Sequence, residues 1–121
     1  MSMKEISPQL QNQIAQYQQL QQQLQVLGSQ RLQLESKLRE VDQTLEALGK
    51  LPDDSSVYKS IGILLVKTDD REALKKELEE HKETLTIRVK AIQKQEKALG
   101  ERFEDLQQKI QSALSGGPQA G

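Results

Sequence analysis

The sequence has no cysteine and no tryptophan, and it holds one phenylalanine, two tyrosines, one histidine and three prolines in 121 residues. Without cysteine there is neither a disulfide nor a thiol nucleophile, which fits a reducing compartment. Aromatics make up only 2% and charged residues 29%, a balance that suits long helices better than a compact ball. Basic and acidic residues nearly cancel, to a formal net charge of -1, so the chain lacks the basic footprint that nucleic-acid binding requires. No apolar run approaches the roughly 20 residues that span a bilayer, and the first residues hold no apolar signal core. A soluble, cytoplasmic protein that binds neither nucleic acid nor membrane is the expectation.

Chemistry is equally sparse. Gly28, Gly49, Gly62 and Gly100 stand isolated and no G-x-x-x-x-G-K run occurs, so no phosphate-binding loop is present. With His81 the single histidine, a metal site would have to be built from carboxylates alone. The acidic pairs Asp53-Asp54 and Asp69-Asp70 fall in turns, where Asp caps helices and makes local hydrogen bonds. No catalytic residue, metal ligand or cofactor is assigned, and the chain is expected not to be an enzyme.

What the chain does have begins at its midpoint. Val57 to Thr68, VYKSIGILLVKT, is rich in β-branched and apolar residues and carries no acidic one. Val57–Ile61 and Ile63–Thr68 are each of strand length, and Gly62 between them suits a tight turn that needs positive φ. Ile63, Leu64, Leu65 and Val66 are apolar on both faces of the second strand, so it expects cover above and below. A lone two-stranded hairpin is marginal in water, and the sequence offers no other strand. Partner strands must come from other subunits.

On either side lie two helical patterns. Ser7 and Pro8 suit an N-cap and first helical position. Ile6, Leu10, Gln13, Tyr17, Leu20, Leu24, Leu27, Arg31, Leu34, Leu38, Val41, Leu45 and Leu48 then follow at alternating spacings of four and three, broken in character only by Gln13 and Arg31. That is a coiled-coil seam. Gly49 as C-terminal cap and Pro52 just beyond end a helix of about 7–49, which would extend roughly 60–65 Å. After the hairpin (about 57–68), Asp69 with Glu72 reads as a capping box opening a second helix of about 70–114. Its seam runs through Leu74, Leu78, His81, Leu85, Val89, Ile92, Glu96, Leu99, Phe103, Leu106, Ile110 and Ala113, with a stutter at Leu85 where two four-residue steps adjoin. Residues 115–121 form a tail expected to be disordered, as are the first few residues. Two helices of similar length joined by a short hairpin fold back as an antiparallel pair, so the whole is read as one domain, mainly α, with termini and hairpin at opposite ends.

Three features of the helices bear on function. Arg31 and Glu96 interrupt apolar seams and could set register as an ion pair, or simply snorkel to water. Lys75, Lys76, Lys90, Lys94 and Lys97 alternate with Glu as an ordinary solvated face. From Ile6 through Gln30 there is no charged residue, and eleven of these positions are Gln. Where the chain begins and the second helix finishes, Ile6, Leu10, Ile14, Phe103, Leu106, Ile110 and Leu114 supply surplus apolar surface with few charges. The neutral stretch reads either as an ordinary soluble coiled coil, glutamine being a good helix former, or as a frayed tip suited to contact with exposed apolar segments of other proteins.

Val57-Tyr58-Lys59 through Gly62 into Ile63–Val66, followed by Lys67-Thr68-Asp69 and set between a Gln-rich first helix and a second helix, strongly resembles a prefoldin β-class subunit over nearly the whole chain. One hairpin rather than two points to the β class. The resemblance implies a heterohexamer of two α and four β subunits whose hairpins join in intersubunit β-barrels, with coiled coils hanging from that base. It also implies capture of unfolded client proteins near the coiled-coil tips without ATP, and transfer to a group II chaperonin. In that frame Val57, Tyr58, Ile61, Gly62, Ile63, Leu64, Leu65 and Val66 carry assembly, and the seven tip residues carry client contact. The alternative is a structural or adaptor coiled coil binding one defined partner.

Overall fold

The computed structural model describes residues 6–116. Four elements follow in order: α1 (Pro8–Lys50), β1 (Val57–Ile61), β2 (Leu64–Thr68) and α2 (Arg71–Gly116). The beginning of α1 is fixed by Ser7, whose Oγ accepts the Leu10 N–H at 3.0 Å while its carbonyl accepts that of Gln11 at 3.0 Å. Pro8 holds the first helical position, where its missing N–H costs nothing. The helix ends differently from expectation. Gly49 is still helical and has no positive φ, so it is not a left-handed cap. The Leu48 carbonyl in the last turn is satisfied instead by the Leu51 N–H at 3.4 Å and by Arg71. The Arg71 guanidinium donates to the carbonyls of Pro52 and Leu48 at 2.9 Å each and of Leu51 at 3.4 Å. A cation at a helix C-terminus also meets the favourable end of the dipole.

The start of α2 is shifted by one residue from its expected cap. Asp70, not Asp69, accepts the Ala73 N–H through Oδ1 at 2.9 Å and the Leu74 N–H through its carbonyl at 3.2 Å. Asp69 is spent on the bend that leaves β2. Glu72 therefore sits one position too early for a capping box, although it still lies in the first turn, where the helix dipole favours an acid. At its other end α2 continues to Gly116. Residues 1–5 and 117–121, where most of the expected terminal disorder falls, lie outside the described residues.

The chain divides into two compact units, one formed by the residues up to Arg31 and from Ala91 onward, the other by Leu32–Lys90. In the first unit α1 and α2 run antiparallel: Tyr17 meets Phe103 and Arg31 meets Glu96, so numbers rise on one helix as they fall on the other. Leu10, Leu20 and Leu106 are its buried side chains. In the second unit Asp42 pairs with Lys82 at 2.7 Å, and Leu34, Val41, Leu48, Leu85 and Val89 form the core, with Leu85 only 2% exposed.

Every expected seam position from Leu10 to Ala113 is buried or half-buried except His81, which is exposed. The stutter explains it. Two successive four-residue steps carry a helix face round by about 80° relative to a true repeat. Leu85 and Val89 keep the core positions, so His81, eight residues before Val89, turns outward.

The sheet is two antiparallel strands in the register Val57↔Thr68, Lys59↔Val66 and Ile61↔Leu64. Ile63 is not a strand residue, as the sequence had suggested, but the second residue of a two-residue turn. Gly62 takes φ +59° and Ile63 stays at negative φ, the pattern of a type II′ hairpin, whose twist matches the strands it joins. Val57, Lys59, Ile61, Leu64, Val66 and Thr68 share one face of the sheet, and Tyr58, Ser60, Leu65 and Lys67 the other. The first face is tied to α2 by Lys59, whose Nζ donates to both carboxylate oxygens of Glu77 at 2.8 and 3.0 Å.

Candidate functional site

Two surfaces concentrate apolar side chains that the chain itself leaves uncovered. The first is the hairpin. Tyr58 and Leu65 on one face and Ile61, Leu64 and Val66 on the other are all exposed, Leu65 at 73%, and the turn residue Ile63 touches nothing. Val57 alone of the expected assembly residues is half-buried. Both outer edges of the two-stranded sheet carry backbone N–H and C=O groups that pair with no strand among the described residues. Edges of this kind template pairing with another chain. Hydrophobic burial then rewards covering the faces, at about 25 cal/mol per Å² of apolar area.

The second surface belongs to the unit containing Tyr17 and Phe103, and it is less open than the sequence suggests. Leu10 and Leu106 are buried, and Phe103 is half-buried in a stacked pair with Tyr17, ring centroids 4.4 Å apart and planes inclined at 20°. Ile6 is half-buried, its carbonyl accepting the Gln11 side chain at 3.3 Å. Three of the expected contact residues do come together at the surface. Ile14, Ile110 and Leu114 line a groove of about 410 Å³, joined by Tyr17 and by Gln18, Gln21, Gln107 and Gln111. Leu114 is half exposed there. Leu10 and Leu106 therefore serve the helix pairing in this closed state, while Ile14, Ile110 and Leu114 are accessible from outside.

Sequence reasoning missed Tyr17 as a groove residue, since it reads there as one more seam position. It also missed a wider groove of about 750 Å³ around Val26. An apolar residue off the seam, exposed at 52% and set among glutamines, was the available signal. Neither groove contains a charged side chain, a hydroxyl nucleophile activated by a base, or a cluster of metal ligands. They offer apolar contact and amide hydrogen bonding.

Comparison with known proteins shows which family builds such a chain. A family model described as prefoldin subunit matches residues 11–117. The prefoldin subunit beta of Archaeoglobus fulgidus is 53% identical over 119 residues, covering 98% of this chain and 100% of that protein. The chain belongs to the prefoldin subunit family. Prefoldin subunit beta of Methanosarcina acetivorans is 47% identical over 116 residues, 96% of this chain and 97% of the relative. The crystal structure of the prefoldin beta subunit from Thermococcus strain KS-1 superposes with a TM-score of 0.84 at 41% identity, covering 93% of this chain and 98% of that one.

Prefoldin is a chaperone family and not an enzyme class. As a prefoldin subunit this chain is a component of an assembly with other prefoldin subunits. No helix among the described residues is long and apolar enough to cross a membrane.

Proposed function

We propose that this prefoldin subunit is an ATP-independent holdase component, which captures unfolded client proteins through the neutral, apolar surface of the Tyr17–Phe103 unit and passes them to a group II chaperonin in the cytoplasm. In this reading the chain is a single prefoldin-like domain, and its hairpin joins those of an α-class subunit and further β copies, two α and four β in all, in intersubunit β-barrels. The observation that carries the reading is the hairpin. An apolar sheet open on both faces and both edges is completed by partner strands, and multiple copies bring multiple weak client sites close together. Multivalency then raises the effective concentration of each site for a bound client by orders of magnitude.

Ile6, Leu10, Ile14, Phe103, Leu106, Ile110 and Leu114 are the client contacts. Ile14, Ile110 and Leu114 act in the closed state, and the buried Leu10 and Leu106 become available when the helix ends open locally. Low-specificity contact of this kind suits many unrelated clients.

The test is suppression of aggregation of an unrelated denatured protein without nucleotide. It is run with this chain alone, with its α-class partner, and as a complex lacking residues 1–16 and 104–121. Suppression by the intact complex that disappears on truncation, at unchanged oligomer size, supports capture at this surface. Suppression that survives truncation moves the site elsewhere on the helices. No suppression by any form ends the holdase reading in favour of an adaptor that binds one defined partner.

A further inference from the structure

The wider groove, like the capture surface, sets glutamine amides around apolar side chains, and here five of them border a single floor. Gln19, Gln22, Gln23, Val26, Leu27 and Gln30 lie along α1 at spacings of three, one, three, one and three, which places them on one face of the helix. Gln95, Ala98 and Leu99 face them from α2 with the same spacing. The small Ala98 side chain leaves room between the two rows. Val26, Leu27, Ala98 and Leu99 make an apolar floor, and five glutamine amides border it, without one formal charge in the lining.

Each of those amides carries two N–H donors and a carbonyl acceptor on a flexible stem. The ligand that matches such a border is one presenting donors and acceptors in alternation and no net charge. An extended polypeptide backbone presents that pattern whatever its sequence, because each non-proline residue offers one N–H and one C=O. Dimensions agree. From Gln19 to Gln30 the helix rises about 16 Å, the length of about five residues of extended chain. The apolar floor accommodates the alternate side chains that such a strand points inward.

We infer that this groove is a binding site for the backbone of a short extended, uncharged polypeptide segment, held by the amides of Gln19, Gln22, Gln23, Gln30 and Gln95 over a floor centred on Val26. The inference rests on the reading that the chain engages unfolded polypeptide, and it gives that engagement a second site, where backbone rather than side chains is read. Folded proteins are not ligands, since their backbone groups are already paired in secondary structure. Unfolded ones are. The glutamine run thus discriminates conformation rather than sequence. Binding here is insensitive to salt, because no ion pair contributes to it.

The experiment uses the full chain assembled with its α-class partner and a capped, neutral hexapeptide of alanine, valine and threonine. A second peptide of the same sequence, N-methylated at alternate residues, loses backbone donors but keeps its side chains. The expected result is binding at least tenfold weaker for the methylated peptide. Raising salt from 50 to 500 mM should change the affinity of the parent peptide less than twofold. A triple variant, Gln23→Glu with Gln30→Glu and Gln95→Glu, should weaken peptide binding at least tenfold. A control triple off the groove, Gln16→Glu with Gln25→Glu and Gln33→Glu, adds the same charge and should not.

Equal binding of the two peptides, or equal effects of the two triple variants at matched helix content and oligomer size, overturns the inference. The same complexes in the aggregation assay separate it from the function on which it rests. If the intact complex protects a denatured protein and the groove triple protects equally well, only the groove assignment fails. If the intact complex protects nothing, the holdase reading fails as well.

Discussion

Arg31 and Glu96, the two charged residues on otherwise apolar seams, meet each other. Nε of Arg31 lies 2.7 Å from Oε1 of Glu96, with the side chains 27% and 22% exposed. A charge-assisted hydrogen bond this short and this sheltered is worth more than a surface pair. Its removal is costly mainly through the partner left behind. Arg31→Leu strips Glu96 of its guanidinium and should destabilise the protein by about 1–3 kcal/mol. The double variant Arg31→Leu/Glu96→Leu should come back to within about 1 kcal/mol of the parent, since two apolar residues continue the seam. Urea unfolding at one fixed protein concentration measures both. A double variant as unstable as the sum of the single ones would show that the two side chains do not act as a pair.

Arg71 closes the C-terminal end of α1 by donating to three carbonyls, those of Leu48, Leu51 and Pro52. Arg71→Ala should cost about 1–2 kcal/mol through the loss of charge-assisted bonds and dipole contact. Arg71→Lys should recover less than half, because one ammonium cannot reproduce the planar fork. Faster amide hydrogen exchange at Leu51 and Ser55, whose N–H groups are bonded in this turn, is the local readout. Unchanged exchange there would remove Arg71 from the closure.

Gly62 holds φ +59° with open space where a Cβ would stand. Strain alone therefore decides the outcome of Gly62→Ala, at about 1–2 kcal/mol for a residue with a Cβ. Because the free chain already holds this turn, the strain should appear as lower hairpin stability, read as faster amide exchange across the Val57–Thr68 pairing. Ile63→Thr is its complement. Because Ile63 is wholly exposed, the change should leave the isolated chain as stable as before while weakening assembly. Hydrogen exchange tests the first, and light scattering across a dilution series the second.

Leu106 and Leu114 were grouped together by sequence but differ in the fold, the first buried and the second half exposed. Leu106→Ala should lower stability by about 2–4 kcal/mol through transfer and cavity terms. Leu114→Ser should change stability by less than about 0.5 kcal/mol yet reduce protection of a denatured client. Thermal unfolding and the aggregation assay, run on both variants, separate the packing role from the contact role. Normal protection by Leu114→Ser would take that side chain out of the contact surface.

Much of this architecture was legible because a spacing of three and four, sustained from Leu10 to Leu48 and again from Leu85 to Ala113, admits only a coiled-coil seam. The pattern left Arg31 and Glu96 open to two readings, an ion pair or two snorkelling side chains, and the structure pairs them. What the pattern did not rank were competitions one residue apart. Asp69 and Asp70 are equally good caps in isolation, and the bend leaving β2 chose between them. Gly49 and Ile63 were each assigned a role that a neighbouring backbone geometry took over. The stutter at Leu85 was visible, but which residue it would expel was not, since His81 and Val89 were equivalent until the core of the second unit was packed. At the candidate site, the openness of the hairpin was readable from its two apolar faces. The groove around Val26 left only one trace, an apolar residue off the seam among glutamines, and its width depends on the small Ala98 side chain standing opposite, which no single-helix periodicity records.

The unpaired edges of the hairpin carry a consequence for the cell. In the proposed assembly a newly made copy waits for partner strands, and during that interval it displays the kind of unpaired, apolar surface that proteases and aggregates act upon. In that assembly the supply of companion strands sets how long the surface stays open.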